Sequence, residues 1–260
     1  MLKPVMGIQL YTLRDFCQTA QDFDSTLEKL AGWGVKDVQI SAIGDIPASQ
    51  QKAALEKSGI KVCVTHKSFE KMTNDLDSLI LEHKIIGCDA LGLGSAPESS
   101  RGTTDRVRDF IRKTEKIGKE LKKSGMTFNY HNHDFEFKPL EDSRKSMMDL
   151  LLEETDPQLF RFIPDVAWIH FAGRDPVEVL KKMKGRVKVL HFKDYIIDGS
   201  GNRKFVSLGK GKVDLKACYE AAAELDIPYI MYEQDCDWAD GDAFRATEES
   251  WAFMCELAGK

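Results

Sequence analysis

The 260-residue sequence contains no CxxC pair, no apolar run long enough to span a bilayer, no Pro/Ser-rich linker, no low-complexity tract and no excess of basic residues. Each absence removes a class of protein. The six cysteines, Cys17, Cys63, Cys88, Cys218, Cys236 and Cys255, are scattered without the spacing of a zinc knuckle or a redox pair. Cys63 lies inside an apolar run, where a free cysteine serves as a small hydrophobe. Lys and Arg number 37 against 42 Asp and Glu, a formal net charge of −5, whereas nucleic-acid binding relies on clustered Lys and Arg. No nucleic-acid partner is expected. The opening stretch MLKPVMGIQLY has no long h-region, so the expectation is a soluble cytoplasmic protein without a membrane partner. The missing linkers and heptads leave one domain over residues 1–260, and a hydrophobic content of 42% is enough for one large core.

What is present is one unit repeated: a glycine, a short apolar run, a polar break, a helix. Eight such runs occur, at 5–10, 35–40, 60–65, 90–93, 126–130, 160–166, 187–192 and 229–232. Gly34, Gly59, Gly87, Gly125 and Gly185 stand before or close to a run, where a left-handed residue ends the preceding helix. Between residues 104 and 123, Val107, Phe110, Ile111, Thr114, Ile117, Gly118 and Leu121 keep helical spacing and make one apolar stripe. Shorter stripes start at Phe23, at Leu76 and at Leu215, the last with Asp214 as N-cap. Eight strands alternating with helices predict a single (β/α)8 TIM barrel, with an open doubly wound sheet as the lesser alternative.

In a barrel, the residues that follow each run share one rim, and the carboxyl rim is where sites form. The densest segment is NYHNHDFEF at 129–137, where an apolar lead-in breaks into two histidines, an asparagine, an aspartate and a glutamate. Side chains alternate along a strand, so His131 and His133 are expected to point the same way. Other rim residues are Gln9, Tyr11, Arg14, Gln39, His66, Asp165, Trp168, Lys193, Asp194 and Asp235. His83 falls within a helical stripe and reads as a packing residue, while His170 is ambiguous. Asp165, His191 and Glu233 end three successive strands, and two carboxylates with an imidazole make a sound set for Mn²⁺, Zn²⁺, Mg²⁺ or Co²⁺. Taken singly, Asp165 reads equally as a helix cap, His191 as a bonded core histidine and Glu233 as a partner of Lys193. The three together favour one divalent metal ion.

Along nearly its whole length the chain resembles the sugar phosphate isomerase/epimerase group of the xylose isomerase-like TIM barrels. The likeness rests on GIQLYTLRD, YHNHDFEF, PDVAWIHFAGRDP, GRVKVLHFKD, the LGKGKVD turn and YIMYEQD. It implies a divalent metal held from the fifth to eighth strands, three of whose places fall to Asp165, His191 and Glu233. Well-studied members carry a glutamate on the fifth strand. Here that place falls to His131, with Glu136 as a candidate that would have to fold back.

The resemblance further implies a small-molecule carbohydrate as partner and proton abstraction beside its carbonyl. In that scheme Glu233 is the base and His131 or His133 returns or shuttles a proton. Lys193 holds an oxygen, or else pairs with Asp194 or Glu233. Trp168 offers an apolar face, and His66, Gln9 and Tyr11 complete a polar pocket. The expected activity is a metal-dependent isomerase or epimerase. A 3-keto-glycoside lyase or hydrolase would use the same groups, and a barrel that only binds sugar is the reading from another class. The abasic-site endonuclease branch is disfavoured by the acidic balance. A homo-oligomer is compatible with the sequence.

Overall fold

A computed structural model describes residues 3–259. All eight apolar runs form parallel strands, because runs of β-branched and apolar residues bounded by glycine are buried on both faces in such a sheet. They are β1 (Val5–Gln9), β2 (Asp37–Ile40), β3 (Lys61–His66), β4 (Ala90–Leu93), β5 (Thr127–His131), β6 (Arg161–Ile163) and β7 (Val189–Phe192). After a hairpin of β8 (Asp194–Ile197) and β9 (Arg203–Val206) comes β10 (Tyr229–Tyr232), the eighth barrel strand. The sheet order β6-β5-β4-β3-β2-β1-β10-β7 leaves one seam. Two isolated bridges, Phe162 to Val187 and Asp165 to His191, span it, and the His191 N–H donates to the Pro164 carbonyl at 2.8 Å. The architecture is therefore a nearly closed eight-stranded barrel ringed by helices.

Helix punctuation follows the sequence. The amphipathic stripe forms the helix Thr104–Lys123, with all seven stripe residues buried. Asp214 caps Leu215–Glu224 by accepting from the Ala217 N–H. The five glycines named above all adopt positive φ. Val64, Ala90, Ile163, Val189 and Met231 fill the barrel interior, while larger apolar clusters lie among the strands and surrounding helices. All six cysteines are free thiols, Cys63 among the buried ones. Among the described residues, no helix is long and apolar enough to cross a membrane.

The hairpin is the element that the strand count did not anticipate. Its sequence, DYIIDGSGNRKFV, carries the signal: two short runs separated by a glycine-containing turn. The LGKGKVD segment then folds back over it. The Asp194 carboxylate accepts from the backbone N–H groups of Tyr195, Gly209, Gly211 and Val213 at 2.9, 3.2, 2.9 and 3.1 Å. Gly211 permits this approach, since a Cβ there would stand 2.2 Å from Asp194 Oδ1 and 2.5 Å from the Tyr195 carbonyl oxygen. Gly211→Ala should therefore destabilise the fold by about 1–3 kcal/mol, the range for an overpacked site. Urea unfolding that leaves the midpoint unchanged would show that the clasp is looser than the structure has it.

Candidate functional site

The carboxyl ends of β5, β7 and β10 and the turn after β6 bring His131, Asp165, His191 and Glu233 together. One ligand atom from each lies within 4.8 Å of the others, and all four residues are buried. Each is fixed from behind. His131 Nδ1 sits 3.0 Å from the Gly94 carbonyl oxygen, which directs Nε2 towards Asp165 Oδ2 at 3.5 Å and Glu233 Oε2 at 3.7 Å. Asp165 divides its oxygens. Oδ1 caps the helix Val166–Phe171 by accepting from the Ala167 and Trp168 N–H groups at 2.9 and 3.1 Å, while Oδ2 faces the cluster. The helix-cap reading and the site reading of this residue are both realised. His191 places Nε2 2.8 Å from Gln39 Oε1, leaving Nδ1 3.0 Å from Glu233 Oε2.

Lys193 supplies the charge at the centre. Its buried ammonium lies 3.1 Å from Asp165 Oδ2, 3.0 Å from Glu233 Oε2 and 3.0 Å from both oxygens of Asp235. It has no ion pair with Asp194, whose carboxylate is taken by backbone amides. Burial alone would lower Lys193, but the three carboxylates outweigh it and hold the ammonium well above its usual range. Burial likewise opposes the ionisation of Asp165, yet Lys193 and the neighbouring imidazoles hold it down to about 2. Glu233 is also held well below the carboxylate range against the effect of burial, first by Lys193 and then by His191. Burial pushes His131 down, but Asp165 and Glu233 raise it further than burial lowers it. His66 and His133 are neutral, His133 lowered to about 3 by burial and by the charges of His131 and Lys193.

The donor set fits a divalent cation. His131 Nε2 and Asp165 Oδ2 are buried without a well-formed hydrogen bond, Oδ2 having the Lys193 ammonium at 3.1 Å and His131 Nε2 at 3.5 Å beside it. Buried polar atoms left in that condition ordinarily have a ligand or ion to meet. Three carboxylates against one ammonium leave two negative charges in excess, the charge of one divalent ion, and two imidazole nitrogens with two carboxylate oxygens suit Zn²⁺, Mn²⁺ or Co²⁺.

A cleft of about 620 Å³ opens over this cluster, lined among others by Tyr11, His66, His131, His133, Lys193 and Glu233. His66 fits there because Gly92 lies opposite: a Cβ at that position would stand 2.8 Å from His66 Cδ2. His133 lies beyond the end of β5, so its place in the cleft comes from the turn and not from strand alternation. Gln9 and Trp168 are not brought to the cleft. Gln9 is fully buried and accepts from the Tyr11 N–H at 3.2 Å. Trp168 stands behind His133, with ring centroids 5.1 Å apart, and its own ring is stacked by Arg203 at 3.9 Å. His83 packs as expected, bonding Thr65 and the Leu79 carbonyl, and His170 bonds Tyr195 of the hairpin.

Glu136 does not fold back to the cluster. It lies in the single turn Phe135–Phe137, where its carboxylate accepts from the Tyr130 hydroxyl at 2.6 Å and the His133 N–H at 2.8 Å, and burial raises it to about 7. Three contributors were not assigned roles from the sequence. Gln39 spans His66 and His191 at 2.8 Å each, Asn132 accepts from the Asp165 N–H at 3.1 Å, and Asp235 anchors Lys193. Gln39 and Asp235 carried a legible signal, since Gln39 lies near the carboxyl end of β2 and Asp235 just beyond β10.

The profile of the family described as Xylose isomerase-like TIM barrel matches residues 27–257, and the chain belongs to that family. The chain is 33% identical to an inosose dehydratase of Clostridium tetani (strain Massachusetts / E88) over 171 residues, 60% of this chain and 56% of that one. The chain thus spans about half the length of the curated relatives it matches. A sugar phosphate isomerase/epimerase from Parabacteroides distasonis ATCC 8503 superposes with a TM-score of 0.80 at 25% identity, covering 99% of this chain and 95% of that one. A xylose isomerase-like TIM barrel protein from Mycobacterium smegmatis in complex with magnesium superposes at 0.74 with 13% identity, covering 97% and 96%, a likeness of fold.

The purified protein should carry about one equivalent of divalent metal, as a single Lewis-acid site requires. His131→Ala should lower metal affinity, whereas Glu136→Gln, which preserves the acceptor for Tyr130, should leave it nearly intact. Elemental analysis showing full metal content in an Asp165→Asn, His191→Ala double variant, or the reverse ranking of His131 and Glu136, would contradict this assignment.

Proposed function

We propose that the protein is a metal-dependent enzyme that removes a proton from the carbon beside the carbonyl of a polyhydroxylated ketone, with Glu233 as base. The observation that carries this reading is the placement of Glu233. Its contacts with His131, His191 and Lys193 all run through Oε2, leaving Oε1 to take a proton at the floor of the cleft. His131, Asp165, His191 and Glu233 would hold a divalent ion, which would supply Lewis acidity that makes such a proton easier to remove. Lys193 has a second function here. While paired with Glu233 it weakens that carboxylate as a base, and drawing the ammonium onto a substrate oxygen restores the basicity as it polarises that oxygen. His66 and His133, being neutral, orient hydroxyl groups by hydrogen bonding.

The step breaks one C–H bond: the proton goes to Glu233 and the electron pair forms the enolate. Two outcomes follow. In dehydration the electron pair expels the β-hydroxyl, which leaves as water with the proton that Glu233 took, and the identity to inosose dehydratases favours this outcome. In epimerisation or isomerisation a proton returns to carbon, from Glu233 itself onto the neighbouring carbon or from the opposite side of the cleft, a reading favoured by the sugar phosphate isomerase/epimerase from Parabacteroides distasonis. Loss of an aglycone from a 3-keto-glycoside is the same elimination with another leaving group.

In deuterated water the wild type should wash deuterium into the α-position of its ketone substrate or release the unsaturated product of elimination. Glu233→Gln keeps an oxygen for the metal but has almost no basicity, so it should lower exchange by about 10²-fold or more, the usual weight of general base catalysis. Undiminished exchange in a metal-loaded Glu233→Gln protein would transfer the role to an imidazole. No exchange by the wild type on any ketose, keto-cyclitol or 3-keto-glycoside would favour a barrel that only binds sugar.

A further inference from the structure

We propose that the cleft takes a neutral, unphosphorylated polyhydroxylated ketone and discriminates against phosphate esters. The inference rests on the proton-abstraction reading for its substrate and deepens it. Barrels of this architecture frequently hold a phosphate in the loops after the seventh and eighth strands, where glycine-rich turns aim backbone N–H groups at the anion. The loop after β7 and its hairpin has such a sequence, Leu208-Gly209-Lys210-Gly211-Lys212-Val213. Its amides are already engaged. The N–H groups of Gly209, Gly211 and Val213 all donate to the Asp194 carboxylate, and the missing Cβ of Gly211 admits that carboxylate where a phosphate oxygen would otherwise come. Of the lysines in that turn, Lys210 pairs with Glu249 and Lys212 lines a separate hollow beside His170.

The loop after β10, DCDWADGD at 235–242, is rich in carboxylates. The Gln234 N–H donates to Thr12 Oγ1 at 3.0 Å, the Asp237 carboxylate accepts from the Phe205 N–H at 3.1 Å, and Asp235 is bound to Lys193. The two lysines that line the cleft are both neutralised, Lys193 by three carboxylates and Lys67 by Glu82. With a divalent ion balancing Asp165, Glu233, Asp235 and Lys193, the charged side chains left along the cleft are Glu70 and the Lys67–Glu82 pair, so a phosphate dianion finds no unpaired cationic side chain there. The remaining polar lining, Tyr11, Ser41, Ser68, Ser95, His66 and His133, is suited to bonding hydroxyl groups.

The test pairs each free ketose or keto-cyclitol with its phosphate monoester and measures α-proton exchange and product formation. A kcat/KM at least about tenfold higher for the free compound, or about 1.4 kcal/mol, is expected. A monoester that exchanges equally well or better would overturn the inference while leaving proton abstraction intact. Absence of exchange with every pair would overturn the reading of the reaction, and the charge argument is then decided by binding alone. Calorimetric titration at low ionic strength should give no saturation with glycerol 3-phosphate up to about 10 mM, and a dissociation constant under about 1 mM would overturn it.

Discussion

The buried ammonium of Lys193 is the constraint on which the rest of the site depends. A charge removed from water is tolerated only when opposite charges and hydrogen bonds replace the lost solvation. Asp165 after β6, Glu233 at the end of β10 and Asp235 just beyond it supply them at 3.0 to 3.1 Å. These contacts tie the residue that follows β7 to the ends of the neighbouring strands at the seam of the barrel, where two isolated bridges join the β6 and β7 segments. The same arrangement leaves the cluster short of positive charge, which is why His131 is raised towards protonation and why the donor set suits a divalent ion.

Around that centre, each reactive group is held by a partner that does not itself react. Gly94 orients His131, the helix Val166–Phe171 takes one oxygen of Asp165, Asn132 holds the Asp165 backbone, and Gln39 fixes both His66 and His191. Such support fixes ring orientation and leaves defined atoms free, a requirement for catalysis and for metal affinity alike. Glu136 belongs to this supporting layer. Its carboxylate joins the Tyr130 hydroxyl to the His133 backbone and so shapes the turn that brings His133 to the cleft.

The family's varied chemistry is intelligible from this construction. Loss of an α-proton is shared by dehydration, epimerisation and isomerisation, and the outcome depends on which leaving group or proton donor the cleft presents next. The floor of the cleft is built from strand ends, while its walls are built from loops, among them residues 67–70 and 94–97. That division follows the general separation of scaffold and site in barrels.

Much of the barrel was legible in the residues. Eight apolar runs with glycine punctuation became eight parallel strands, and the seven-residue stripe became one helix with the expected buried face. Local patterning suffices there because burial on a sheet imposes a period that the sequence must carry. The hairpin was not read from the strand count, since β8 follows β7 after Lys193 alone and its pairing uses short, half-exposed strands. Convergence of Asp165, His191 and Glu233 could be expected from rim position, but the choice between His131 and Glu136 for the fourth place could not. A single turn at Phe135–Phe137 sends Glu136 to Tyr130, and spacing along the chain does not encode that direction. Gln9 and Trp168 were likewise placed on the rim by sequence, but Gln9 turns to accept from the Tyr11 backbone N–H and Trp168 stacks with Arg203 outside the cleft. The sequence by itself determined the alternation of strand and helix and the residue types available at the rim. Only the tertiary structure decided which of them meet, because hydrogen bonds between residues far apart in the chain, such as Gln39 to His191 and Lys193 to Asp235, set the direction of each side chain.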